Sequence, residues 1–282
     1  MSSVRTLSQL LEMLRQGYTV SDGSINPPLI RQAAALKPKK QGRHFCISIA
    51  HHVIEIRSRF NEIYSMSEKY LIDSEADIHI SVSDSDLDYE RKQEDNPNKI
   101  YNDGYLEASS ILRKISEAML SSDTFLMHGA VVVANDEAFM FTADSGTGKT
   151  THIKKWLENL EHAYVVNGDK PLIQITDDQA IACGTPWCGK ECMGTNTMVP
   201  LKAIVLMERG DSNLIEQISF SQAYIFLLQQ THRPADYKKM IKTLELVSRL
   251  DGRVKFYKFV FNNMKDDAFS VSYNCLTGTN EL

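Results

Sequence analysis

Ala143-Asp144-Ser145-Gly146-Thr147-Gly148-Lys149-Thr150-Thr151 is the stretch on which the reading of this chain turns. The apolar run Ala138-Phe139-Met140-Phe141-Thr142 precedes it, and Ile153, Trp156, Leu157 and Leu160 follow at helical spacing. A strand, a glycine-bearing turn ending in Gly-Lys-Thr, and then a helix is the context that makes a phosphate-binding (Walker A, P-loop) reading credible. In such a loop the backbone N–H groups of the turn and of the helix N-terminus point at one anion, and the glycines let the main chain approach it. Asp144, Ser145, Gly146, Thr147, Gly148, Lys149, Thr150 and Thr151 are therefore expected to hold a nucleoside triphosphate. Lys149 is expected on the β- and γ-phosphates and the Thr150 hydroxyl on Mg²⁺. One position is off pattern, because Ala143 stands where such loops begin with Gly. The alternative is an ordinary polar strand-to-helix turn.

Working outward, 282 residues suit one large domain or two modest ones. A composition of 43% hydrophobic and 24% charged residues is that of a globular protein. The net charge of -5 argues against nucleic acid as an obligatory partner, since phosphate backbones require a basic face. The first residues lack the apolar core of an export signal, and no run approaches the length of a membrane span. Five cysteines, an odd number, read as reduced thiols. A cytoplasmic protein with no membrane partner is the expectation, and a homo-oligomer is compatible with it.

Residues 6–15 carry Leu7, Leu10, Leu11 and Leu14 at amphipathic spacing, and 29–36 reads as a second short helix opening after Pro27-Pro28. Lys37-Pro38-Lys39-Lys40 reads as a solvated basic turn. Residues 45–49, 53–56 and 78–82 alternate with period two and are predicted strands. His51 and His52 are adjacent, but neighbours on a strand point to opposite faces, so a surface role is expected rather than a metal. The polar stretch 83–99 is predicted to be a loop or connection. Residues 106–120 resume a helical pattern. A hairpin over 130–142, turning at Asn135-Asp136-Glu137, feeds the loop. Beyond the loop helix come a strand over 163–166, a hairpin over 172–183, a strand over 201–207, and a final alternation of helices (221–230, 237–250), strand (254–261) and helix (266–276). The fold class expected is α/β with a smaller α+β N-terminal domain over 1–103 and a P-loop nucleotide-binding domain over 104–282.

Two further groups stand out near the loop. Asp169 follows the first strand after the loop helix, at the edge where α/β sheets present ligand groups. A carboxylate there can hold Mg²⁺ through water or accept a proton from an attacking hydroxyl; the alternative is a turn aspartate before Lys170-Pro171. His128 precedes Gly129 at the bend leading into the hairpin, and a structural role and a functional one both stay open for it. Lys190, Arg209 and Arg233 are candidate phosphate clamps or plain surface cations. Glu191 is a candidate second metal carboxylate. Cys183, Cys188 and Cys192 lack the paired spacing of a zinc site. Trp187 is either a core anchor or a cover for the nucleotide or substrate.

In combination, His128-Gly129, then Ala143–Thr151, then Val166-Asn167-Gly168-Asp169-Lys170-Pro171 resemble the kinases related to HPr kinase and to ATP-dependent phosphoenolpyruvate carboxykinase. The resemblance covers about residues 105–280. It implies the mixed-sheet P-loop kinase core of that superfamily, with ATP and Mg²⁺. It also implies that His128 matches the catalytic His, Lys149 the triphosphate lysine, Thr150 the magnesium hydroxyl, and Asp169 the proton acceptor. Gly184-Thr185-Pro186-Trp187-Cys188-Gly189-Lys190-Glu191 resembles a Gly-Thr-Pro-Trp-x-Gly-Lys stretch of uncharacterised bacterial relatives of HPr kinase. The chain departs from the pattern at Gly168, where a first aspartate is expected, and it lacks the second, Glu-containing HPr kinase signature. The expectation is a phosphotransferase, with Asp169, His128 and Lys149 as catalytic residues and Thr150 and Asp169 as metal ligands. It would move the γ-phosphoryl of ATP to a hydroxyl of a protein Ser or a small molecule. A catalytically weak nucleotide-binding regulator is the alternative, and a carboxykinase-like lyase a weaker one.

Overall fold

Two sheets organise the fold of the computed structural model, which describes residues 42–93, 101–262 and 267–279. The helices expected over 6–15 and 29–36 and the basic turn at 37–40 lie outside the described residues. In the first sheet β1 (Arg43–Ile49) and β2 (His52–Ser58) pair antiparallel. They meet at Ala50 and His51, both left-handed with φ of 49° and 67°, as a tight hairpin whose twist matches its strands requires. A short helix α1 (Glu62–Met66) leads to β3 (Leu71–Ile72) beside β1, and β4 (Ile78–Ser81) lies parallel to β2.

The polar stretch predicted as a loop is in part a helix, α2 (Asp84–Gln93). Ser83 and Asp86 bond reciprocally, backbone N–H to Asp86 Oδ2 at 2.9 Å and Asp86 N–H to Ser83 Oγ at 3.3 Å. The helix docks through Leu87, which is buried, and through Arg113, whose Nε donates to Glu90 Oε1 at 2.7 Å. Capping and tertiary ion pairs, rather than an apolar stripe, hold it, so hydrophobic periodicity did not reveal it. Arg113 belongs to α3 (Asp103–Ala118), which Asn102 caps by accepting from Tyr105 N–H at 2.7 Å.

The second sheet has nine strands. β5 (Thr124–Leu126), β6 (Ala130–Ala134) and β7 (Glu137–Thr142) lead into α4 (Lys149–Asn159), and β8 (Tyr164–Asn167), β9 (Leu172–Ile175) and β10 (Ala180–Cys183) follow. β11 (Met198–Arg209) is longer than predicted, and β12 (Leu214–Ile218) was not expected. Then come α5 (Phe220–Gln230), α6 (Tyr237–Ser248), β13 (Lys255–Phe261) and α7 (Ala268–Thr277). β7, β11 and β13 run parallel, whereas β6 runs antiparallel between β7 and β8. The sheet is therefore mixed, and the chain is α/β in class.

Alternation along the strands sorts the core into two faces. Val131, Val133 and Met140 pack under α5 and α6, while Val132, Phe139 and Phe141 pack against Trp156 of α4 and Phe269 of α7. Strands buried on both faces read as continuous apolar runs, as 130–134 and 138–141 do. A third cluster joins the first sheet to the second: Ile47, Ile54 and Ile56 share it with Leu106, Ile111 and Ile115 of α3 and with Leu126, Leu172 and Trp187. The expected domain boundary, 103/104, falls at the first turn of α3.

Candidate active site

The antiparallel placement of β6 between β7 and β8 creates the site. It puts the start of β6 between the ends of its two neighbours, as the pairs Ala130–Phe141 and Val131–Asn167 record. His128, the loop after Thr142 and Asp169 therefore meet at one sheet edge, although they are spread over some forty residues of chain. Backbone bonds pin the convergence: Gly129 N–H donates to Asp169 O at 2.9 Å, and Thr142 Oγ1 donates to His128 O at 2.7 Å.

The loop carries Gly146 and Gly148 at φ of 79° and 124°. A Cβ on Gly146 would have open space, so backbone conformation rather than crowding demands glycine there. Thr147 Oγ1 closes the turn on Asp144 O at 2.8 Å. Gly148 caps α4 without a side-chain acceptor, so the first N–H groups of the helix are left for a ligand or water. Lys149 is only 8% exposed, and its ammonium donates to Ala143 O at 2.8 Å and Asp144 O at 3.3 Å. Burial pulls its pKa below the ordinary lysine value against the attraction of Asp169 and Asp144. Ala143 itself is fully buried in the core below the loop. Arg209, at the end of β11, donates to Gly146 O at 2.7 Å and Thr147 O at 3.1 Å, and so braces the loop from outside.

His128 Nε2 lies 3.3 Å from Asp169 Oδ1. Burial raises the Asp169 pKa, but the His128 hydrogen bond and the charges of Lys170, His128 and Lys149 outweigh it and hold the carboxyl below its ordinary value. The other ring nitrogen, Nδ1, sits 2.9 Å from Gln230 Oε1, and Gln230 Nε2 donates to Asp144 Oδ1 at 3.2 Å. The Asp144 carboxylate can only accept, so it sets the amide orientation and makes His128 Nδ1 a donor. Nε2 is then the nitrogen that faces Asp169. Gln230 thus links the loop to the His–Asp pair, and no sequence signal marks it.

The turn holding Asp169 is built by Asn167, whose Oδ1 accepts from Asp169 N–H at 2.8 Å and Lys170 N–H at 2.7 Å. Its amide donates to Thr185 O and Oγ1, both at 3.0 Å, which ties the turn to the Gly-Thr-Pro-Trp segment. A Cβ on Gly168 would lie 2.7 Å from Cys188 O and 3.1 Å from Met193 O. The position expected to hold a first aspartate is thus closed by the backbone of the following loop. Trp187 is buried and donates to Ala108 O at 3.1 Å, which makes it a core anchor.

Other candidates are distributed more widely. Glu191 pairs with exposed Lys154 at 2.9 Å and is turned to α4. Lys190 lines a cavity together with Asp169, and Arg233 lines another with His128. Asp144, Ser145 and Thr151 are exposed and Thr150 half-buried. Cys183 is buried, while Cys188 and Cys192 line the first cavity. His51 is exposed in its turn, and His52 Nδ1 lies 2.5 Å from Asp77. Among the described residues no three His, Cys, Asp or Glu side chains gather as a metal cage, and no helix is long and apolar enough to cross a membrane.

No family model matches the sequence, and no curated protein matches it. Among solved structures, the chain is similar to the HPr(Ser) kinase/phosphatase from Coxiella burnetii, with 9% identity and a TM-score of 0.34 over 55% of this chain and 99% of that one. That likeness is a remote one.

Proposed function

We propose that this chain is an ATP- and Mg²⁺-dependent phosphotransferase that moves the γ-phosphoryl group to a hydroxyl. The observation that carries the reading is the His128–Asp169 contact at 3.3 Å, at the sheet edge shared with a loop whose lysine is buried and, among the described residues, bonded only to loop carbonyls. A triphosphate offers Lys149 stronger, charged acceptors than those carbonyls. The loop amides and Lys149 hold the phosphates, and Asp169 takes the proton of the attacking hydroxyl with His128 sharing it. Phosphoryl transfer asks a protein mainly for position and charge, which is what these residues offer. Thr150 and Asp169 are the proposed Mg²⁺ ligands. One carboxylate suits this ion, which is usually held by one or two carboxylates together with substrate phosphates and water. When bound it neutralises charge on the phosphates.

Transfer from radiolabelled ATP to hydroxyl acceptors tests the proposal. Asp169→Asn should keep its affinity for metal-free nucleotide and lose transfer by roughly 10²- to 10⁴-fold, the usual contribution of a general base. Lys149→Ala should lose nucleotide affinity. Asp169→Asn transferring as fast as wild type would sink the assigned base. A second reading, a nucleotide-binding regulator with weak catalysis, is favoured by the closed position at Gly168, which leaves one carboxylate in the turn. Tight ATP binding with no turnover on any hydroxyl would select it.

A further inference from the structure

Asp169 forms part of the wall of a cavity of about 590 Å³. One side comes from the end of α1 and the segment after it (Met66, Glu68, Lys69, Tyr70), the second from α3 (Tyr105, Ser109, Leu112), and the third from the loop through Trp187, Gly189 and Lys190. The loop lies against the aspartate because Gly189 has no side chain; a Cβ there would sit 3.2 Å from Asp169 Cβ. An adjoining cavity of about 470 Å³ shares Ser109, Leu112 and Lys170 with the first and is lined further by His128, His232 and Arg233, but not by Asp169. The carboxylate assigned as base is therefore open to the first cavity.

The lining has a definite chemistry. Tyr70, Tyr105, Leu112, Pro186 and Trp187 give it an apolar, aromatic body. Three lysines (Lys69, Lys170, Lys190) face two acids, Asp169 and Glu68, which leaves one positive charge in excess. Among the described residues the Lys69 ammonium is engaged only with Gly194 O, at 3.1 Å, and those of Lys170 and Lys190 make no hydrogen bond or ion pair. Tyr70 is 3% exposed, and its hydroxyl is buried with no partner. The volume lies within the usual range for small-molecule sites, which pair an apolar body with a few convergent polar groups.

The geometry points to this cavity as the acceptor site, taking a small hydroxy acid with an apolar or aromatic body: its hydroxyl meets Asp169 and its carboxylate meets the lysines. This rests on the phosphotransferase reading and narrows it from any hydroxyl to a small molecule. In the step, a lone pair of the acceptor oxygen forms the bond to the γ-phosphorus. The bond from that phosphorus to the bridging oxygen breaks, the nucleoside diphosphate leaves with the electron pair, and the hydroxyl proton passes to the Asp169 carboxylate. A serine on a folded protein would have to enter through walls contributed by three separate segments.

The test is binding first and transfer second. Hydroxy acids such as phenyllactate and N-acetylserine, and their methyl esters, are titrated by ligand-observed NMR into the full chain without nucleotide, then offered with ATP. Ser109→Phe fills both adjoining cavities from α3, whereas Lys190→Glu, at an exposed residue that lines only the first, reverses a charge without touching the core and tells the two apart. Expected are binding to wild type, at least tenfold weaker binding to Ser109→Phe, and a loss in Lys190→Glu for the acids that their esters do not share. Absence of binding to wild type, or an affinity for the acids in Lys190→Glu equal to that of wild type, overturns the assignment. So does a protein serine phosphorylated equally well by Ser109→Phe. Because binding is read without ATP, failure of the kinase reading (no transfer to anything) is recorded separately from failure of the cavity.

Discussion

Gly168 stands where the sequence reading expected a first aspartate, and its surroundings leave no room for one. The loop carrying Cys188 and Met193 presses its carbonyls to within 2.7 and 3.1 Å of where a side chain would begin. Gly168→Asp, which adds a second carboxylate to the turn, should therefore cost about 1–3 kcal/mol through overpacking and bring no gain in transfer. Urea unfolding and the ATP transfer assay check both halves. Gln230 makes the opposite point. His128, Lys149 and Asp169 were legible because their residue types and order carry chemistry. Gln230 was not, because its role comes from a bond across the sheet edge to His128 at 2.9 Å, 102 positions away. Gln230→Leu should leave nucleotide affinity near wild type and lower the transfer rate roughly 10- to 100-fold, the scale of a misplaced catalytic group. An unchanged rate would show that His128 needs no tautomer control.

At the scale of elements, α4 presents the loop lysine at one end and buries a histidine one turn further on. His152 is fully buried, accepts from Trp156 Nε1 at 3.2 Å and lies 3.1 Å from Ser272 Oγ. Burial, helped by the charge of Lys155, lowers its pKa to about 3 from an ordinary 6.5. Between those values the unfolded chain binds a proton that the folded chain refuses. Stability is therefore whole above pH 6.5 and falls as the pH drops towards 3, with a slope of at most ~1.4 kcal/mol per pH unit. Urea midpoints from pH 7 to 4 should show this slope in wild type and a shallower one in His152→Leu, where Trp156 keeps Ser272 as its acceptor at 3.1 Å. Equal slopes would mean that other groups dominate the acid limb. The elements around α4 were readable because apolar runs and a glycine-marked turn announced them. α2 escaped because charge pairs with α3 hold it. β12 escaped because its residues Leu214–Ile218, largely exposed at the sheet edge, show no apolar alternation.

The whole molecule turns on α3, which the sequence boundary at 103/104 would assign to the nucleotide-binding part. Its residues Leu106, Ile111, Ile115 and Met119 just beyond it are at most 1% exposed, and they share a cluster with the first sheet and with Trp187. Trp187 in turn is bonded to α3 through Ala108 O and sits in the loop that closes over Gly168 and Asp169. The first sheet therefore supports the Asp169 turn indirectly, by covering the helix on which that loop rests. Each large apolar side chain returned to water costs roughly 1.5–3 kcal/mol, and four of them together rival the ~5–15 kcal/mol net stability of a typical domain. A fragment of residues 104–282 should accordingly lack fixed tertiary packing, even though it contains every residue assigned to the nucleotide. Near-UV circular dichroism and dye binding to exposed apolar surface, compared with the full chain, decide it: a fragment that unfolds cooperatively and still binds ATP would show that α3 needs no cover from the first sheet and that the two parts are separable.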